Sequence, residues 1–196
     1  MTRADLVEVI RGKHRVTARD GAILVAISGI DAAGKGTIAR DVAGRLKAAG
    51  LRVALVGGDG WLIQGEKLDL DPDPGVAFYR RGFWFATMFE GVIDPLRRDP
   101  AIDVILLEGI FLFKRELRHR YDLSIWIDCA YETALQRALA RNQENLPREQ
   151  LLSDYARIYF PAQEIHLQRD NPREFAEIVF PNDVAETLRP AYSHNF

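Results

Sequence analysis

Nine consecutive residues, Gly29-Ile30-Asp31-Ala32-Ala33-Gly34-Lys35-Gly36-Thr37, combine small side chains with one lysine and one hydroxyl. Small residues let successive backbone N–H groups converge on phosphate oxygens, and a lysine closing such a turn adds a mobile positive charge. The run follows the apolar stretch Ala22 to Ser28 and leads into Ile38, Val42 and Leu46, which fall four apart before Gly50. A strand, a glycine-rich turn and a helix in that order form a P-loop, with the helix N-terminus aimed at the phosphates. Gly29, Asp31, Ala32, Ala33, Gly34, Lys35, Gly36, Thr37 and Ile38 are the expected nucleotide-binding residues. One position departs from the common pattern. Gly36 stands where Ser or Thr normally follows the lysine, so the hydroxyl comes one place later, and Thr37 is read as serving a phosphate or a metal-bound water.

Acidic and basic residues at two kinds of position could complete a reaction. Asp59 directly follows the apolar run Arg52 to Val56, and Glu108 follows Val104 to Leu107. In a parallel sheet, residues just past the C-terminal strand ends share one crevice. Asp59 is read as the base that takes the proton of an attacking hydroxyl, with a turn cap as the plain alternative. Glu108 is read as the carboxylate that orients Mg2+, with a salt bridge as the alternative. Arg137 and Arg141 lie four apart on a helical stretch, and Arg148 follows the polar segment Asn142 to Glu149, which contains Pro147. That segment, roughly residues 142–150, is read as a lid bringing arginines to a triphosphate; solvated surface arginines are the alternative. Lys35, Asp59, Arg137 and Arg141 are thus the expected catalytic set, and Arg148 joins the expected nucleotide-binding residues.

The elements that must position these groups are legible as five aliphatic runs, the last two being Leu123 to Ile127 and Ala176 to Phe180, alternating with helical stretches. Runs apolar on both faces suit a mainly parallel sheet sandwiched between helices, so the class is α/β. The 196 residues suffice for a single domain, 1–196, with no linker to divide it. Residues 57–75 read as a long loop, and those after Asn182 as a surface tail. A net charge of −2 gives no field to gather nucleic acid or anionic lipid, and no apolar run is long enough to span a membrane. The lone Cys129 fits a reducing cytoplasm. His14, His119, His166 and His194 show no metal-ligand spacing. Self-association is left open.

Together these pieces resemble the uridine kinase-like family of P-loop kinases, which also contains nicotinamide riboside kinases, pantothenate kinases and phosphoribulokinases. The likeness runs through the P-loop, Asp59, Glu108-Gly109-Ile110-Phe111, Ser124-Ile125-Trp126-Ile127-Asp128, Arg137 to Arg141, Leu151 to Tyr155 with Pro161, and Ala176 to Pro181. The resemblance implies a P-loop NTPase-like three-layer sandwich with a five-stranded sheet and a short lid, use of ATP and Mg2+, and Asp59 as the acceptor-activating base. It implies transfer of the γ-phosphoryl group to a small-molecule hydroxyl, foremost a nucleoside's, with pantothenate, nicotinamide riboside or a sugar derivative as same-family alternatives. A polyphosphate donor and a nucleotide-binding switch that transfers nothing are the remaining rivals. Acceptor recognition is where the sequence departs from the pattern. Gly60-Trp61-Leu62 replaces Ser-Phe-Tyr, Trp84 stands where an acid that could hold ribose hydroxyls is expected, Asp154 replaces a Gln, and the lid retains Arg148 alone of an Arg-Gly-Arg. Asp59, Tyr79, Arg80, Arg81, Trp84 and Asp154 are the expected acceptor-site residues.

Overall fold

The computed structural model describes residues 1–17, 21–63, 72–143 and 145–183. Five strands, β1 (Ile23–Gly29), β2 (Val53–Gly57), β3 (Val104–Glu108), β4 (Leu123–Asp128) and β5 (Ile178–Pro181), form one all-parallel sheet in the order β2-β3-β1-β4-β5. The central strand β1 is registered on both sides, with Ile27 opposite Glu108 of β3 and Ile125 of β4. Every residue of β1 is buried, as its apolar run Ile23 to Ile27 requires of a strand covered on both faces, and Ser28 satisfies its hydroxyl on the Gly109 carbonyl at 3.0 Å. The strand β2 is different. It lies at an edge, and Leu55 is 39% exposed, so its apolar run reports the sheet but not full burial.

Helix α1 (Arg3–Thr17) buries Leu6, Val7 and Ile10 and packs on both β1 and α2 (Lys35–Ala48). The stripe Ile38, Val42 and Leu46 of α2 is fully buried, as the four-residue spacing predicts. Gly50, at φ +89°, stops that helix. The Gly50 N–H reaches the Lys47 carbonyl at 3.0 Å and the Leu51 N–H reaches Leu46 at 3.1 Å, a paired closure that needs a left-handed residue.

The segment read as one long loop, 57–75, is ordered at its ends. Gly58–Trp61 form a 3-10 turn, Leu62 bridges Phe83, and α3 (Pro74–Arg81) opens with Asp73 accepting from the N–H groups of Gly75 and Val76. Residues 64–71, within that loop, lie outside the described residues, as do the tail after Asp183 and His194. Short helices α4 (Phe85–Met88) and α5 (Asp94–Arg98) flank a π-helical turn, Phe89–Ile93. The C-terminal half carries α6 (Tyr131–Arg141), α7 (Arg148–Asp154), α8 (Phe160–Asp170) and α9 (Pro172–Phe175). No described helix is long and apolar enough to cross a membrane.

Candidate active site

The turn between β1 and α2 is held open by its neighbours. Gly29 lies so close to β4 that a side-chain carbon there would sit 2.7 Å from the Ile127 carbonyl oxygen. The Ala33 N–H closes the turn on the Ile30 carbonyl at 3.2 Å, and the Asp31 N–H donates to Gln163 of α8 at 2.8 Å. Gly34 has φ +95° and caps α2 with no side-chain bond, so the first amides of that helix keep their donor capacity for an anion. The strand end past β5 clamps the turn: Asn182 Nδ2 donates to the Ala33 carbonyl at 2.7 Å, and Arg137 of α6 donates to the carbonyls of Asn182 at 2.7 Å and Ala33 at 3.3 Å.

Around this turn lies a cavity of about 450 Å³. Lys35, Arg40, Arg137 and Arg141 face Asp31, Asp59 and Glu108 across it, with Thr37 and Gln143 completing the rim. The buried ammonium of Lys35 donates to the Ile30 carbonyl at 2.8 Å, folded back across its own loop. Asp59 sits on the 3-10 turn after β2 and is exposed to the cavity. Burial pushes the carboxyl of Glu108 above the ordinary carboxylate range; Lys35 and Arg40 draw it back, while Asp59 and Asp31 push it further. Glycines stand around that carboxylate: a side-chain carbon at Gly57 would lie 3.2 Å from Glu108 Oε1, and one at Gly36 would lie 3.4 Å away. Asp31 in turn accepts a short hydrogen bond from the hydroxyl of Tyr155.

A second cavity of about 300 Å³ adjoins the first and shares Asp31, Asp59, Arg141 and Gln143 with it. Its remaining walls are Leu62, Phe78, Phe83, Ile110 and Tyr159. The two cavities therefore meet at Asp31, Asp59, Arg141 and Gln143, with the turn between β1 and α2 on one side and a largely apolar chamber on the other.

Several expected site residues are elsewhere, each for a physical reason. Ile38 spends its N–H on the Gly34 carbonyl within α2 and turns its side chain into the core. Tyr79 is buried, because its hydroxyl donates to Asp170 at 2.6 Å and its ring lies under Lys114, 4.4 Å from the ammonium. Arg80 lines a separate cavity with Phe85, Glu90 and Lys114, and Arg81 is exposed at the end of α3. Trp84 is about half exposed and borders neither cavity. Asp154 accepts from Gln150, one helical turn earlier on α7. Of the segment expected as a lid, 142–150, residue 144 lies outside the described residues; Asn142 donates to the Leu146 carbonyl at 3.0 Å and accepts from its N–H at 3.1 Å, and Arg148 begins α7, exposed and outside the cavity.

The structure adds groups that the sequence reading missed. Arg40 lies one turn beyond Gly36 on α2, a spacing that could have exposed it. Asn182 follows β5 and obeys the same strand-end rule as Asp59 and Glu108. Gln143 belongs to the segment expected as a lid and Tyr155 to the Leu151 to Tyr155 stretch, although neither was singled out, and Gln163 reaches the site through the folded chain without any local pattern.

No family model matches the chain, and no curated protein matches it. Solved structures do. The chain is similar to a candidate uridine kinase from Bacillus stearothermophilus at 17% identity, with 90% of this chain and 99% of that one covered and a TM-score of 0.64. A candidate fructose transport system kinase from Silicibacter sp. TM1040 matches at 22% identity, covering 92% and 100%, with a TM-score of 0.71. D-glycerate 3-kinase from Cryptococcus neoformans matches at 12% identity over 83% and 87%, with a TM-score of 0.60. The fold is thus that of uridine kinase-like and related P-loop kinases, in agreement with the resemblance carried by the motifs.

Proposed function

We propose that the protein is an ATP-dependent kinase that transfers the γ-phosphoryl group to the hydroxyl of a small molecule. The observation that carries this reading is the junction of the two cavities, where Asp59 has access to a phosphate cradle and to a separate acceptor chamber while Asp31, the other shared carboxylate, is engaged by the Tyr155 hydroxyl. A binding switch has no use for the second chamber. The kinase folds around it in the comparisons act on different substrates by their descriptions, so nucleosides stand here as the proposed acceptors on motif likeness alone.

In this reading the triphosphate lies on the Gly34 to Thr37 amides, with Lys35 leaving the Ile30 carbonyl for the β- and γ-phosphates. Mg2+ would be held by Glu108 and Thr37, and when bound it neutralises charge on the phosphate oxygens. The residues fit that ion. One carboxylate and one hydroxyl beside open glycine backbone match a metal that takes its other ligands from phosphate and water, and among the described residues no cluster of three or more His, Cys, Asp or Glu offers an independent cage. The acceptor oxygen attacks the γ-phosphorus, the bond to the β,γ-bridging oxygen breaks, ADP departs, and Asp59 takes the acceptor's proton. Arg137 is anchored to the cradle, whereas Arg141 faces both cavities and is placed to follow charge onto the transferring group.

The test is ADP release against a panel of nucleosides, pantothenate, nicotinamide riboside and sugars. Acceptor-dependent release supports the reading. ATP binding without acceptor-dependent release from any of them makes the protein a switch.

A further inference from the structure

The acceptor chamber has a chemical character of its own. Its charged and amide groups, Asp31, Asp59, Arg141 and Gln143, all belong to the end shared with the phosphate cradle. Asp31 is engaged by the Tyr155 hydroxyl. Beyond that end the described walls are Leu62, Phe78, Phe83, Ile110 and Tyr159, and only Tyr159 carries a polar tip.

These walls are built rather than collapsed. Leu62 and Phe83 are joined through an antiparallel bridge, flanked by hydrogen bonds from the Ile63 N–H to the Gly82 carbonyl at 2.8 Å and from the Trp84 N–H to the Trp61 carbonyl at 3.0 Å. Phe78 meets Tyr159 edge-on at 5.3 Å and 68°, and Phe111 at 5.8 Å and 68°. Such tilted aromatic pairs fix the ring planes against which a planar body can lie. Phe111 is buried behind them and takes contacts from Phe83 and Tyr79 as well. Trp84, at the position where an acid for ribose hydroxyls was expected, brings no carboxylate and lines neither cavity.

Among the described residues, a group that enters this chamber past the reacting hydroxyl meets surface but few hydrogen-bonding partners. A polyol there leaves hydroxyls unpaired, and each unpaired buried hydroxyl costs roughly 10- to 100-fold in an equilibrium or rate. An aromatic or aliphatic body incurs no such loss and gains contact.

We infer that the acceptor is an alcohol whose reacting hydroxyl is borne on an aromatic or otherwise apolar body, held by surface contact and without hydrogen-bond readout of that body's edge. This rests on the kinase reading for the placement of the hydroxyl at Asp59. It goes further in two respects. The identity of a planar ring in the chamber is immaterial to recognition, and sugars lacking such a ring are excluded.

The experiment compares three acceptors that share one reacting hydroxyl: uridine, a phenyl riboside in which benzene replaces the base, and ribose. The phenyl riboside is expected to match or exceed uridine in kcat/KM, and ribose, which lacks the ring's surface contact, to fall roughly 100-fold or more below the phenyl riboside. Ribose within ten-fold of the phenyl riboside, or a phenyl riboside clearly below uridine, overturns the inference. Leu62→Gln, which sets an amide in the wall, should lower kcat/KM for the phenyl riboside about ten-fold while the KM for ATP stays unchanged. No change in that variant would also count against the inference. A binding arm separates this proposal from the one beneath it. If no acceptor releases ADP but the phenyl riboside raises the melting temperature more than ribose does, the kinase reading fails and the chamber's preference holds. If the phenyl riboside shows no advantage over ribose in melting temperature either, the inference itself is wrong.

Discussion

Gly34→Ala tests the geometry of the cradle, and the structure supplies its magnitude. Gly34 has φ +95°, a conformation that costs an L-residue about 1–2 kcal/mol. Its added Cβ would also lie 2.5 Å from Asn182 Nδ2, with Arg137 Nη1 next at 4.0 Å. That amide must move, and its hydrogen bond to the Ala33 carbonyl goes with it, at about 0.5–1.5 kcal/mol. The sum is about 1.5–3.5 kcal/mol, or a fall in Tm of roughly 3–14 °C for a chain of this size. The two parts separate in a double-mutant cycle with Asn182→Ala, which removes both the obstructing amide and its bond. In that background Gly34→Ala should cost only the backbone part, a coupling of about 1 kcal/mol. The assay is thermal or urea unfolding of the four proteins. Equal costs in both backgrounds would refute the contact between Asn182 and the cradle. Gly36→Ala provides the control, because its Cβ meets Arg40 and Glu108 side-chain atoms at 3.4 Å and requires only a small shift.

Glu108→Gln should stabilise the protein and disable it. The folded state raises this carboxyl above its unfolded value, so the ionised group detracts from stability once the pH exceeds the ordinary carboxylate range. The variant's Tm advantage should be largest near pH 7 and vanish below about pH 4, where both states hold the proton, while ADP release falls; a Tm unchanged at every pH contradicts the burial assigned to it. Asp170 behaves oppositely. Burial disfavours its charge, yet the hydrogen bonds from His166 at 2.7 Å and Tyr79 at 2.6 Å outweigh that and hold it down at about 2. Its contribution is present above the unfolded carboxylate range and lost as pH falls toward that value, so Asp170→Asn should cost roughly 2–3 kcal/mol at pH 7 and progressively less in acid. Arg141→Ala should lower kcat by roughly ten-fold or more with little effect on ATP affinity, because the residue faces both cavities, and a change confined to Tm would return it to the surface charges.

The sheet was legible because its strands are covered on both faces. Unbroken aliphatic runs are hard to place otherwise, and β1, β3 and β4 answer to them closely. The cradle was legible for a related reason: backbone convergence demands small residues at fixed spacing, and that demand is written locally. The acceptor side was not. Phe78 and Tyr79 are adjacent on α3 and equally aromatic in the sequence, yet one lines the chamber while the other is drawn into the core by Asp170, 91 residues away. Arg148 and Arg141 looked equivalent as neighbours of a polar segment. Reciprocal hydrogen bonds between Asn142 and Leu146 set the turn that leaves one at the cavity and the other on the surface. The placement of Tyr79 depends on a distant partner, which no local spacing reports.

The account turns on Asp59 as the group that takes the acceptor's proton. Asn retains the size of Asp and much of its hydrogen bonding but can neither accept a proton nor supply negative charge. The decisive measurement is kcat for Asp59→Asn with the best acceptor, together with ATP affinity by calorimetry on matched folded samples. The account predicts a fall of roughly 10²- to 10⁴-fold in kcat with ATP affinity unchanged, since Lys35 and the cradle remain in place. A kcat within a few-fold of the unsubstituted enzyme would contradict it.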